Sequence, residues 1–423
     1  MQSAPADCTA PRRLTGHSVI VPDVPHASVP TLSGDDEIVR VAELARAAGR
    51  LGIDTEFMSE GRYRALLCLV QVAVDDADAP DGVRIALFDP FDALDFAPLA
   101  AVLADPEIEI VLHAARQDVA ILRRAWRTDV RDVFDTQVAA GFAGYGAQTG
   151  YGNLLGAALG LRVGKTASYT RWDARPLTEE QLSYAAEDVL HLLQLSDKLH
   201  EKLRAHGRLQ WAQEECRRMD DATDERDPET AFERLPRSGQ LDPRARAVAR
   251  EVAAWRERTA QQEDKPVGTI LPDPALVEIA KRKPSSPREL EQIRGLHGGH
   301  LRRRGQAIVD AVERGRAAEP IPRDARRPGG EQGDAPLIAL VEAVIRTRAI
   351  EAQLAYELVA SRAELEQIVI AARRGDPQPS VRALSGWRRE LVGEEIAELL
   401  AGRRAVTIAH GKLDVTPVDA APA

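Results

Sequence analysis

The sequence predicts an α/β domain with a mixed sheet, followed by two small all-α domains. Three observations carry that division. Short apolar runs first come three in a row and then alternate with amphipathic stretches, the pattern of a sheet with strands of mixed direction. Beyond Leu241 the strand signals nearly vanish and helical periodicity replaces them. The charge balance also changes sign: residues 1–233 hold 24 Lys+Arg against 39 Asp+Glu, whereas 234–316 hold 18 against 11. An acidic first half is thus tied to a basic module. That is either a surface for a polyanion or an ordinary fluctuation of solvated charge between domains.

Residues 1–33, rich in Pro, Ser and Ala, read as a flexible lead-in. DDEIVRVAELARAAGR is an amphipathic helix ending near Gly49, and LGIDTEF, ALLCLVQVAV and VRIALFDP are strands. FAPLAAVLAD is a short helix, EIEIVLHA a fourth strand, and residues 116–126 a helix. VRDVFDT is a fifth strand-like segment and TQVAAGFAGYG a helix; the pattern then stays helical to about Met219, broken by a loop over 160–177. This sets a first domain at 34–219. The charged stretch MDDATDERDPET separates it from a helical domain at 237–317, built from PRARAVAREVAAWRERTAQQED, DPALVEIAKRK, SPRELEQIRG and HLRRRGQAIVDAVERGR. A Pro/Gly/charged linker leads to a second helical domain at 334–404, weakly similar to the first, and 405–423 reads as a short polar tail.

Within 423 residues, 44% hydrophobic and 29% charged, three widely spaced cysteines (Cys8, Cys68, Cys216) form neither a disulfide framework nor a metal pattern. The expectation is a reducing, cytoplasmic compartment, with no signal peptide, no transmembrane helix and no protein partner that can be named.

The chemistry lies in four acids and a tyrosine. Asp54 and Glu56 are two apart on a strand and share a face; Tyr184 and Asp188 are four apart on a helix and share a face; Asp118 sits in the first turn of a helix after a strand. Taken singly, each acid reads more readily as surface charge or a helix cap, and Asp118 as an acid favoured by a helix N-terminus. Taken together on three rigid mounts, they suit oxygen ligation of two Mg²⁺ or Mn²⁺ ions flanking a phosphodiester, with a phenol to orient water.

These segments resemble the exonuclease motifs of the DEDD superfamily, tyrosine subgroup: DTEF, the stretch from His113 to Asp118, and Tyr184 with Asp188. LCLVQVAV, VFDTQVAA, RPLTEEQLSYAAEDVLHLL and LSGWRRELVGEEIAELLAG narrow the resemblance to the ribonuclease D family over residues 35–402. It implies a ribonuclease H-like exonuclease domain with two helicase-and-ribonuclease-D C-terminal (HRDC) domains behind it. The implied activity is 3′→5′ trimming of RNA, tRNA precursors included, with release of nucleoside 5′-monophosphates. By the same resemblance Asp54 bridges both ions, Glu56 and Asp188 complete one site, Asp118 completes the other, and Tyr184 positions water. One departure is visible: Thr170-Arg171-Trp172 stands where the family often shows Ser-Asp-Trp.

Further candidates are weaker. Phe57 either meets the terminal nucleotide or packs in the core. Lys165 and Arg175, in one loop, and Arg302, Arg303 and Arg304, beside a glycine-rich turn, either bind phosphate or are solvated. Gln71 and Asn153 lie within possible reach of substrate, and Trp172 and Cys68 read as packing. His297 and His300 lack the companions of a zinc site. Two other functions compete with RNA trimming: a DNA 3′-exonuclease with the same metal core, and an RNA-binding adaptor without turnover.

Overall fold

The computed structural model describes residues 30–162, 171–296, 298–322, 333–376 and 379–418. Helix α1 (Asp35–Ala48) carries Asp35, Asp36 and Glu37 in its first turn, where acids complement the helix dipole, and stops at Gly49 with φ of 71°. Strands β1 (Arg50–Met58), β2 (Leu66–Asp75) and β3 (Val83–Phe88) follow as an antiparallel meander. Helix α2 (Ala97–Ala104) crosses to β4 (Glu109–Leu112), and α3 (Arg116–Trp126) crosses to β5 (Val133–Asp135). The sheet order is β3-β2-β1-β4-β5, with β1, β4 and β5 parallel. The mixed direction follows from connection length, since tight turns give antiparallel pairs and helical crossovers give parallel ones.

Both faces of this sheet are covered. On one, Ile38 and Val41 of α1, Leu99 of α2 and Val119 and Leu122 of α3 bury against Ile53, Val72 and Ile110. On the other, Ala73, Val111 and Phe134 meet helices α4 (Thr136–Phe142), α5 (Tyr151–Leu159), α6 (Glu179–Leu190), α7 (Leu192–Ala205) and α8 (Leu209–Asp220).

The first helical domain comprises α9 (Pro243–Glu263), α10 (Val267–Ile270), α11 (Asp273–Arg282), α12 (Pro287–Leu290) and α13 (Gly298–Ala317). Its core is its own: Val248, Val252, Leu276, Ile308 and Val312 pack together with Phe232 and Leu241. SPRELEQIRG, expected as a full helix, is helical only over α12, and turns follow as far as Gly295, whose φ is 91°.

The second helical domain contains α14 (Asp334–Glu351), α15 (Tyr356–Val359), α16 (Arg362–Arg373), α17 (Gly386–Arg388), a π-helical turn over Arg389–Gly393, and α18 (Glu394–Leu400). Its core is continuous with that of the first domain, where Ile338, Val341 and Trp387 join Phe142, Leu195 and Leu199. The expected polar tail is instead an antiparallel hairpin, β6 (Arg404–Ala409) and β7 (Lys412–Pro417). His410 and Gly411 turn it with φ of 52° and 74°, the positive values a tight hairpin requires, and Val406, Leu413 and Val415 pack on Val344 and Leu399. Among the described residues no helix is long and apolar enough to cross a membrane.

Candidate active site

β1 brings Asp54 and Glu56 to one face of the sheet, and the β1–β2 register sets Gln71 opposite Asp54. The fully buried Gln71 donates from Nε2 to Asp54 Oδ2 at 2.7 Å, which holds that carboxylate in place. The register slips between Glu56 and Phe57, so the strand is re-aimed just beyond the acids. Phe57 is half-buried and packs against the α1–α3 side of the sheet.

α6 is fixed by a capping box, in which Thr178 accepts from the Gln181 N–H while the Gln181 side chain accepts from the Thr178 N–H. One turn apart on that helix, the Tyr184 phenol hydrogen-bonds the Asp188 carboxylate. One oxygen each from Asp54, Glu56 and Asp188 lies within 4.8 Å of the others. Asp118 is not in that trio. It is buried at the start of α3, where its Oδ1 accepts from the Thr55 hydroxyl at 2.5 Å.

The start of α3 is itself held from β5. Asp135 accepts from the N–H groups of Ala114 and Ala115 at 3.0 and 2.9 Å, and it also caps α4 through the Gln137 N–H. Ala114 has φ of 59°, a left-handed conformation unusual for a residue with a side chain, and the Asp135 carboxylate compensates it.

The electrostatics are those of anions crowded out of water. Burial, then the charges of Asp118, Asp188 and Glu56, hold the Asp54 carboxyl well above the usual range. Burial, then Asp188 and Asp118, push Glu56 up to about 8. Burial lifts Asp118 to about 6 against the Thr55 hydrogen bond, and lifts Asp188 to about 6 against that of Tyr184. Burial, then the charges of Asp188 and Glu56, drive the Tyr184 phenol upward. Such a cluster is poorly neutralised by the protein alone, and its oxygen-only donors fit hard divalent cations.

Two polar side chains near these acids carry no role read from sequence: His113, which opens the second motif, and Tyr151, which feels the charges of Asp188 and Asp54. Among the described residues His113 Nε2 is buried without a hydrogen-bond partner, and the His113 and Tyr151 rings lie 5.4 Å apart. The only signal was position: His113 begins the stretch that leads to Asp118, and Tyr151 begins α5.

The structure spends other candidates elsewhere. Arg175 is a loop clamp rather than a free cation: it pairs with Asp89 and donates to the carbonyls of Cys68 and Trp172 at 2.7 Å each. Trp172 is buried with Cys68 and packs against Tyr184, as expected for core residues. Arg304 is buried and bound to Glu263 at 2.7 Å, so it is a structural ion pair, whereas Arg302 is exposed and Arg303, also exposed, lies 3.7 Å from the same carboxylate. Asn153 is exposed and Gln71 serves Asp54. Lys165, Thr170 and His297 lie outside the described residues, as does the side chain of His300.

A family model described as 3′-5′ exonuclease matches residues 30–204, and a model of the HRDC domain matches residues 245–312. The chain is 37% identical to a ribonuclease D of Gluconacetobacter diazotrophicus over 87% of its own length and 92% of that protein's. It is 33% identical to ribonuclease D of Escherichia coli over 87% and 97%. The crystal structure of Escherichia coli RNase D, described as an exoribonuclease involved in structured RNA processing, superposes with a TM-score of 0.75 at 31% identity, covering 88% of this chain and 98% of that one. With likeness of this level over nearly the whole chain and an acid site built on the exonuclease sheet, the chain belongs to the ribonuclease D family.

Proposed function

We propose that this 3′–5′ exoribonuclease trims single-stranded RNA 3′ ends, tRNA precursors among them, by two-metal-ion hydrolysis and releases nucleoside 5′-monophosphates. The observation that carries the reading is the convergence of Asp54, Glu56 and Asp188 to within 4.8 Å of one another, beside Tyr184. When bound, two Mg²⁺ or Mn²⁺ ions supply charge neutralisation at the phosphate and make water a better nucleophile. Asp54, among the other acids, would be shared between the two ions; Glu56 and Asp188 would complete one site and Asp118 the other. Tyr184, steered by its hydrogen bond to Asp188, holds the attacking water. Of the substrate-binding candidates, Phe57, Arg302 and Arg303 retain the exposure or position to meet RNA. Lys165 remains a candidate from sequence.

The modules are read as an exonuclease domain at 34–219, an HRDC domain at 237–317 and an HRDC-like domain at 334–404. A cytoplasmic setting is supported by the free thiols of Cys68 and Cys216. The decisive experiment is a time course on 5′-labelled single-stranded RNA and on DNA of matched sequence, with Mg²⁺, with Mn²⁺ and with chelator. The expected outcome is metal-dependent shortening of the RNA from its 3′ end. Asp54→Ala should lower the rate by at least about a hundredfold, within the range for loss of a preorganised electrostatic group, with an unchanged circular dichroism spectrum. RNA binding without shortening under either metal would defeat the reading.

A further inference from the structure

A cleft built partly from the two segments that carry Glu56 and Asp118 has no role in the chemistry above. It lies between the β1–β2 turn, the start of α3 and residues 223–226, has a volume of about 260 Å³, and is lined by Ser59, Tyr63, Arg64, Gln117, Asp224 and Arg226 among others. Gln117 directly precedes Asp118, and Ser59 is three residues beyond Glu56.

The turn that forms one wall is tied to the first helical domain, but not through Arg64's side chain. Arg62 pairs with Asp264 at 2.8 Å, the Tyr63 N–H donates to the same carboxylate at 3.1 Å, and the Tyr63 hydroxyl donates to Glu257 at 2.6 Å. Arg64 is left facing the cleft, its guanidinium carbon 6.0 Å from the Tyr63 ring centroid. Its Nε is buried without an acceptor, and among the described residues no carboxylate pairs with its guanidinium. The acids of the cleft do not cancel it: Asp224 is taken by Arg124 at 2.9 Å, and Glu225 is exposed. Arg226, 5.7 Å over the Tyr63 ring, adds a second positive charge.

A half-buried guanidinium with no anion among the described residues, held in a cleft that shares the β1–β2 turn and the start of α3 with the acid-bearing segments, lacks an acceptor of matching shape, and a phosphodiester provides one. One wall of the cleft, residues 223–226, leads from the acidic domain toward the basic helical module, whose Glu257 holds the Tyr63 hydroxyl of the opposite wall. We propose that Arg64 binds a backbone phosphate of the RNA on the 5′ side of the scissile bond, and that the cleft is a sequence-independent subsite for the single strand. This rests on the exoribonuclease reading above.

The test compares wild type with Arg64→Gln, which keeps much of the aliphatic stem, and with Arg64→Lys, which keeps the charge without the fork. For a 5′-labelled single-stranded RNA, Arg64→Gln should raise KM about tenfold, the lower end for a charge-assisted hydrogen bond, while kcat changes little. The slope of log affinity against log salt should fall by about 0.7, the value for one phosphate contact on a single strand. Arg64→Lys should recover the slope but only part of the KM. Equilibrium binding of the same RNA in chelator reads the subsite without turnover. An Arg64→Gln protein with wild-type thermal unfolding, KM, salt slope and binding would overturn the proposal. Absence of hydrolysis by the wild type, with Arg64-dependent binding intact, would instead strike the exoribonuclease reading and leave the subsite standing.

Discussion

At the scale of single residues, the acid site works against the fold that carries it. Glu56, pushed up to about 8, and Asp118 and Asp188, near 6, bind protons in the folded state at pH values where the unfolded chain, with carboxyls near 4, has released them. The folded state therefore binds more protons, and metal-free stability must fall as pH rises from about 4 to about 8. A divalent ion reverses this by binding only the deprotonated, folded cluster. Two outcomes follow. In chelator the melting temperature should decline across that interval, and with Mn²⁺ it should recover most at the alkaline end. Asp54→Asn should also raise the metal-free melting temperature at pH 8, by roughly 2–4 °C for each kcal/mol of repulsion removed, since an amide oxygen still accepts from Gln71. Calorimetric melting in chelator checks both, and an Asp54→Asn protein less stable than wild type at pH 8 would contradict the account. The acids themselves were legible because strand and helix periods fix their faces from sequence: two residues apart for Asp54 and Glu56, four for Tyr184 and Asp188. Their supports were not. That Gln71 faces Asp54 depends on strand register, and that Asp135 holds the two residues leading into α3 depends on β5 lying beside β4. No local pattern states either. Arg175 and Arg304 were read as free cations for the same reason, because their partners Asp89 and Glu263 are distant in sequence.

At the scale of elements, the segment LSGWRR shows how a legible motif can have an illegible purpose. It serves in the sequence as a mark of family resemblance, yet in the structure it is a clamp between domains. Trp387 and Arg388 are each 1% exposed. Trp387 stacks on Trp211 of α8 at 5.2 Å and meets Phe142 of α4 edge-on at 5.0 Å. Glu215 of α8 receives the Trp387 indole N–H at 3.2 Å and the Arg388 guanidinium at 2.5 Å on the same oxygen. The clamp enters through Gly386, whose φ of 53° suits a residue without a side chain, and an added Cβ would meet the Glu214 carboxylate. Trp387→Ala should therefore cost about 3–5 kcal/mol, as for other large aromatic truncations in cores. Glu215→Ala should cost a similar 3–5 kcal/mol, because it leaves a buried arginine without its counter-charge. Urea unfolding followed by tryptophan fluorescence and by far-ultraviolet dichroism checks this. Losses below about 1 kcal/mol for both variants, the range of ordinary surface substitutions, would mean that the two domains do not share a core in solution. The terminal hairpin belongs to this scale too. Its alternation of Val406, Leu413 and Val415 is short, and its register becomes meaningful only once α14 and α18 supply the surface beneath it.

At the scale of the whole molecule, the two helical domains are joined to the exonuclease domain by different physics. The second continues its hydrophobic core. The first has a separate core and reaches the β1–β2 turn through polar contacts: Arg62 with Asp264, the Tyr63 N–H with Asp264, and the Tyr63 hydroxyl with Glu257. Arg62 and Asp264 are 38% and 46% exposed, so their pairing is screened by solvent and worth at most about 1 kcal/mol. Domain boundaries drawn from charge and periodicity treat the two modules as equals, because sequence patterns mark where helices lie and not which apolar faces meet. The energetic division runs elsewhere, with exonuclease and second helical domain as one cooperative unit and the first helical domain as another. Asp264→Ala should separate these cases. It should speed hydrogen exchange at Tyr63 and Arg64, whose N–H groups face that carboxylate, while leaving protection in β1, β2 and α14 unchanged. Calorimetry of the wild type should likewise resolve two transitions, and Asp264→Ala should widen the gap between them by removing the Arg62 and Tyr63 N–H contacts at this turn, while Glu257 still holds the Tyr63 hydroxyl. If the variant instead lowered protection in the β1–β2 strands and in α14 together, the molecule would be a single unit, and the polar seam at Tyr63 would be part of its core stability.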